Sequence, residues 1–479
     1  MLLMRRLALM IAAALISFNA AARIELPHIL GSNMVLQRNS EVKLWGKATP
    51  GAKVVVSVSW EKLRRTSTTA DDNGRWQLTI DTPAATFEPQ TITISDGEQI
   101  KLRNILIGDV WITSGQSNME MPVKGYQWQP TEGALEYIMQ GGKYADRIRM
   151  FTVGKERSQQ RAEDCKGEWQ VASSASVAEM SATAYFFALN LANAIDVPIG
   201  IVTANWGGTR IESWMAMEDL EAMFSKEQIA AKAELNFVKP AELYCAMIAP
   251  ISRFAAKGFL WYQGCSNLDD NDHYDDMMAR MVERWRKDWG DEKAAMPFYY
   301  VMIAPHSYGD SQNISYPLFV ECQERALSKI PNSGMAPTTD IGEEHCIHPP
   351  KKYEVGQRLA AQALAKTYGQ TGFNPNHPQV GGYVIKDGQA KLTLNNCELG
   401  PTPWYGGPIT GFEIAGADKV FHKANASVTG FHEITVWSDA VPQPVAVRYS
   451  FRNFAPGNLK SVFGIPAIPF RTDDWNDVR

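Results

Sequence analysis

Hydrophobic and polar positions change rhythm twice along this chain. Near the start, Val42-Lys43-Leu44-Trp45-Gly46 and Trp76-Gln77-Leu78-Thr79-Ile80 alternate, while residues 54–60 and 91–94 are rich in β-formers. Turn signals at Thr49-Pro50-Gly51 and Asp71-Asp72-Asn73-Gly74 separate these runs. Short strands at this spacing predict a β-sandwich domain over 23–105. From 106 to 372 apolar runs alternate with helical patterns. Residues 107–115, 199–203, 258–262 and 298–302 read as buried strands, and 181–194, 274–289, 317–330 and 351–368 have helical spacing. In 274–289, Met277, Met281, Val282 and Trp285 share one face. This alternation predicts a three-layer α/β/α domain with a mainly parallel sheet, whose reactive residues collect beyond the carboxyl ends of strands. After 373 short strands return, at 380–385, 391–394, 431–437 and 445–449, and predict a second β-sandwich-like domain reaching 479.

Residues 1–22 stand outside this rhythm. Arg5 and Arg6 precede an apolar run over 7–18 that is short for a membrane span, and Ala20-Ala21-Ala22 offers a small-residue cleavage site. The pattern predicts a secretory signal peptide and a periplasmic or secreted protein with no membrane attachment after cleavage. A formal net charge of −5, more acidic still without the two arginines, disfavours nucleic acid as a partner. The six cysteines form no Cys-x-x-Cys pair, so no zinc or dithiol motif is indicated.

Candidate chemistry sits in four loops of the α/β region. The first, Gly115-Gln116-Ser117-Asn118, breaks a strand and leaves Ser117 at a helix start, where a hydroxyl can act as a nucleophile. The second, beginning Asn205-Trp206-Gly207-Gly208, brings backbone N–H groups that can approach a ligand closely. The third, Gln263-Gly264-Cys265-Ser266-Asn267, brings amide donors, and the fourth, His345-Cys346-Ile347-His348-Pro349, puts a histidine just ahead of a helix. Each loop alone has an ordinary structural explanation as a turn or a helix cap. Together they hold what acyl transfer requires: a serine, a base and donors for an oxyanion.

Several longer blocks carry a resemblance. Residues 32–38, 108–119, 207–214, 243–248, 261–267, 347–349 and 464–473 resemble the sialate O-acetylesterase family of SGNH-type hydrolases over nearly all of the chain after residue 22. The resemblance implies an SGNH-hydrolase-like domain flanked by β domains, acting on O-acetyl esters of sugars such as sialic acids without metal or organic cofactor. It implies Ser117 as nucleophile, His348 as base, and an oxyanion hole from the Ser117 amide and a glycine of the 207–208 pair, with Gly208 favoured. Gln263 is the expected side-chain donor, ahead of Asn267.

Two departures from the family pattern stand near this site. The acid that the family carries shortly before the histidine falls on Cys346 or His345, and a glutamate of the third block is Cys265. A disulfide between Cys265 and Cys346 is therefore expected, with Cys245 as a competing partner. The orienter of His348 is left open among Glu344, Glu343, Asp340 and a backbone carbonyl. Three functions remain: sialic-acid O-acetylesterase, acetylesterase on another glycan such as xylan or mucin sugars, and glycan-binding protein with an impaired site.

Overall fold

A computed structural model of the chain describes residues 24–403 and 407–476. The predicted signal peptide lies outside the described residues. Among them, no helix is long and apolar enough to cross a membrane.

One strand organises the molecule. Gln99–Gly115 runs for 17 residues; its first half alternates in exposure and its second half is buried without a break. The exposed half pairs antiparallel with Thr86–Ser95 and belongs to the N-terminal β region. The buried half pairs parallel with Ile199–Asn205 on one side and Gly258–Tyr262 on the other. The boundary expected at 105/106 therefore falls inside a continuous strand. Full burial of both faces is what a parallel sheet covered by helices demands, and it explains the unbroken apolar run.

The central sheet runs in the order Ser333–Ala336, Phe298–Val301, Gly258–Tyr262, Gln99–Gly115, Ile199–Asn205, Ile148–Thr152 and Trp169–Val171. All neighbours are parallel except the last pair. Helices form close to where their periodicity predicts them, at Ala182–Ala194, Tyr274–Asp288, Ser315–Lys329 and Lys352–Lys366. Ala182–Ala194 is buried on nearly every face, against the sheet and against Lys352–Lys366. This is the SGNH-hydrolase-like α/β architecture expected from the sequence.

The flanking regions attach differently. The core of the N-terminal β region, including Val42, Leu44 and Trp76, is continuous with the α/β core. Residues 32–38 account for part of that union. Gln37 Nε2 donates to Asp109 Oδ1 at 2.8 Å, and Arg38 holds both Asp109 oxygens at 3.0 and 2.9 Å. The C-terminal region has its own core between two four-stranded antiparallel sheets, with Leu392, Ile434, Ile414 and Val447 among its members. It docks on the α/β domain through ion pairs, with Arg471 holding Glu321 at 2.7 and 2.8 Å.

Candidate active site

Register brings the first three loops together. Gly115 is the paired neighbour of both Asn205 and Tyr262, so three adjacent strands end at one level. Their carboxyl ends flank the point where the chain's path through the sheet reverses direction, the usual ligand position in such sheets. Gly115 itself has φ +144°, and a Cβ there would lie 2.2 Å from the Tyr262 carbonyl oxygen. No other residue fits, which is why the apolar run stops at this position. The short helix Ser117–Glu120 follows at once and presents Ser117 at its first turn.

His348 comes from 231 residues away in sequence, yet its Nε2 lies 2.7 Å from Ser117 Oγ. Asn118 holds the two chain segments in place. Its Nδ2 donates to the Ile347 carbonyl at 3.0 Å, and its Oδ1 accepts from Lys352 Nζ at 2.5 Å. Tyr126 packs edge-on against the imidazole, with ring centroids 5.4 Å apart.

The other imidazole nitrogen defines this site. His348 Nδ1 lies 2.6 Å from Gln129 Oε1. An amide oxygen can only accept, so this contact puts the proton on Nδ1 and leaves Nε2 free to take one from Ser117. None of the acids expected as orienter fills this role. Asp340 is bound by Arg358 at 2.8 Å and Lys460 at 2.7 Å. Glu343 offers only its carbonyl, to His306, and the Glu344 carboxylate lies 3.8 Å from the exposed His345. Their proximity in sequence is overridden by stronger partners and by chain direction. Gln129 was missed because residues 122–133 carry no periodicity and lie far from the histidine in sequence.

An amide orients without supplying charge. The imidazolium form of His348 thus has no carboxylate beside it. Burial, then the nearby Lys352, then His306 push its pKa down from 6.5 to about 4. Lys352 is itself fully buried, and burial lowers its pKa to about 7 despite the neighbouring Cys265 and Cys346 thiols. His348 is therefore neutral, and competent as a base, well into the acidic range.

On the opposite side, Gly208 has φ +74°, and neither its N–H nor that of Ser117 has a protein partner among the described residues. The Gly207 N–H is occupied by Glu120 Oε2 at 2.6 Å, a contact that joins the second loop to the serine helix. The Ser117 and Gly208 N–H groups, the pair preferred from the sequence, are thus both free to donate among the described residues. Gln263 is different. It is fully buried, its Nε2 donates to the Thr209 carbonyl at 3.0 Å and to Asn267 Oδ1 at 2.8 Å, and its Oε1 accepts from Tyr274 at 2.7 Å. With both amide hydrogens committed, it braces the second and third loops and has no donor left for a substrate oxygen. Asn267 is held as well: its Nδ2 donates to Glu212, and its Oδ1 accepts from the Ile211 N–H and from Gln263.

The disulfide expected between Cys265 and Cys346 is not formed, and neither is one through Cys245: all six cysteines are free thiols. Cys346 donates to the His348 carbonyl at 3.2 Å, and Cys265 lies 3.6 Å from the Tyr308 hydroxyl, its thiol pKa raised mainly by burial. The two thiols do not link the third and fourth loops.

A serine, an oriented neutral histidine and unpartnered N–H groups at the carboxyl ends of a parallel sheet define a serine esterase of the SGNH-like class. Comparison with known proteins agrees and is more specific. Residues 107–365 match the family described as carbohydrate esterase, sialic acid-specific acetylesterase, and the chain belongs to that family. The sialate O-acetylesterases of Pongo abelii and Homo sapiens are each 28% identical over 374 residues, covering 71% of this chain and 70% of theirs. A solved structure of a carbohydrate acetylesterase from Xanthomonas citri is 33% identical, with a TM-score of 0.84, covering 95% of this chain and 100% of that one.

Proposed function

We propose that the protein is a carbohydrate O-acetylesterase acting on O-acetylated sialic acids through a Ser117–His348–Gln129 triad. The 2.7 Å contact between His348 Nε2 and Ser117 Oγ carries this reading. Ser117 Oγ attacks the acetyl carbonyl while His348 Nε2 takes its proton. The carbonyl oxygen becomes an oxyanion that the Ser117 and Gly208 N–H groups receive, a contribution of about 3–4 kcal/mol per well-placed donor. His348 then returns the proton to the departing sugar oxygen, leaving acetyl-Ser117. Water repeats the sequence: His348 takes a proton from it, hydroxide attacks the acyl carbon, and acetate leaves as Ser117 is reprotonated. Gln129 keeps the imidazole in the required tautomer throughout.

Sialic acids are proposed because the matching family and the mammalian relatives bear that name. Acetate release from O-acetylated sialic acid, set beside release from acetylated xylan, tests the assignment. The expected result is faster turnover of the sialic acid ester; exclusive release from xylan would overturn the substrate. Arg5, Arg6 and the apolar run after them support export to the periplasm or the exterior as part of this reading. N-terminal sequencing of the exported protein is expected to begin at Arg23, and recovery of the uncleaved chain would contradict it.

A further inference from the structure

The turn that supplies Gln129 contains an unusual residue. Tyr126 and Gln129 exchange backbone hydrogen bonds at 2.9 and 3.0 Å, so Gln127 and Trp128 form the tip of a two-residue turn. Of these two, only Trp128 has a positive φ, +60°, in a turn position that ordinarily takes glycine. A bulky side chain in the left-handed region is an outlier that needs a reason. The residue is also 91% exposed, and its ring makes no hydrogen bond or ring contact among the described residues.

Another aromatic residue with positive φ sharpens the point. Tyr308, at +46°, is half-buried, stacks on Tyr316, and hydrogen-bonds the Ala304 carbonyl at 3.1 Å. Its strain is offset by packing, whereas Trp128 recovers nothing from the fold. Nor do the aromatics beside Gly208 offer the same surface. Trp206 has Lys155 and Arg157 over its ring at 5.6 and 5.3 Å, and Arg157 also covers Phe237 at 5.3 Å. The free indole face is the one next to the triad, one residue from Gln129.

We propose that Trp128 is a stacking platform for the sugar ring adjoining the acetylated one, so that the substrate is an acetylated sugar carried in a glycan chain. This rests on the carbohydrate esterase reading above. An apolar ring face matches the C–H face of a pyranose, and the turn that carries Trp128 also supplies the Gln129 contact to His348, so a sugar resting on Trp128 would neighbour the one whose ester meets Ser117. Tyr126, at the other end of the same turn, packs edge-on against His348 and so ties the turn that carries Trp128 to the imidazole.

The test uses Trp128→Ala, Trp128→Phe and Trp128→Gly with three kinds of ester: O-acetylated sialyllactose and acetylated xylo-oligosaccharides, their acetylated monosaccharides, and 4-nitrophenyl acetate. Trp128→Ala is expected to lose about tenfold or more in kcat/KM on the chain substrates, mostly through KM, and markedly less on the other two. Trp128→Phe is expected to restore most of that loss. Trp128→Gly is expected to keep or raise the Tm, because glycine adopts this φ freely. An equal loss on chain substrates and 4-nitrophenyl acetate, no loss on the chain substrates, or a lowered Tm in Trp128→Gly would overturn the platform. Failure of the wild-type protein to release acetate from any of the esters would instead overturn the esterase reading itself.

Discussion

Ser117 stands at the end of a strand whose neighbours on both sides stop at the same level, whereas His348 stands in a loop held from elsewhere in the chain. On the serine side, Gly115, the Ser117–Glu120 helix and the Gly207-Gly208 turn follow directly from where three parallel strands end. On the histidine side, Gln129 arrives from the 122–133 segment, Asn118 ties the loop from beneath, and the fully buried Lys352 anchors Asn118. The first side is built by sheet register. The second is built by side chains that have no regular spacing, and the charge of a carboxylate is missing from it. What the comparison teaches is that nucleophile and base can be tuned separately. The oxyanion donors belong to the backbone, while the basicity of His348 depends on which side chain faces Nδ1.

Breaking either side at its reacting atom should have the largest effect. Ser117→Ala and His348→Ala are each expected to lower kcat by about 10⁴-fold or more, with KM little changed, in an acetate-release assay. Gln129→Ala tests the histidine side alone. Losing a carboxylate orienter costs on the order of 10⁴; an amide orients without charge, so about 10²-fold in kcat is expected. Next comes Lys352→Met, which removes a buried positive charge close to His348. Its expected signature is an acidic limb of the pH–rate profile moved up by about 1 unit or less, with a modest fall in rate as Asn118 loses its anchor.

Gln263→Leu separates bracing from chemistry. It leaves the Thr209 carbonyl without its partner and removes one hydrogen bond each from Asn267 and Tyr274, so unfolding measurements should show a loss of about 1–3 kcal/mol, exceeding its direct effect on oxyanion binding. A rate loss as large as that of His348→Ala, in protein of normal stability, would restore Gln263 to the oxyanion hole. The smallest effect concerns the thiols. Thiol titration of the denatured, non-reduced protein should find Cys265 and Cys346 free, and reductant should leave activity unchanged.

The same contrast explains what could be read before the fold was known. Strand ends, Gly115 and the glycine pair are local signals, so the loops that carry Ser117, Gly208 and His348 were legible as candidates, while the role of each residue was implied by the family resemblance. The orienter was not legible. Asp340, Glu343 and Glu344 lie close to His348 in sequence, but Asp340 is taken by Arg358 and Lys460, and only three-dimensional packing brings Gln129 to Nδ1. Gln263 was misread because an amide after a strand is equally suited to donate to a ligand or to brace its neighbours. Its exchange with Thr209, Asn267 and Tyr274 decides for bracing. The domain boundary was blurred for a related reason, since alternation passes into a solid apolar run within the single strand Gln99–Gly115.

The pH dependence of kcat/KM in wild type and Gln129→Glu tests the amide-held histidine most directly. His348 must be neutral to accept the Ser117 proton, so wild-type activity should persist as pH falls and drop only through about pH 4. A carboxylate at position 129 favours the imidazolium, so Gln129→Glu should move this acidic limb upward by about 1 to 3 units. A wild-type limb near 6.5 that does not move in Gln129→Glu would contradict the account.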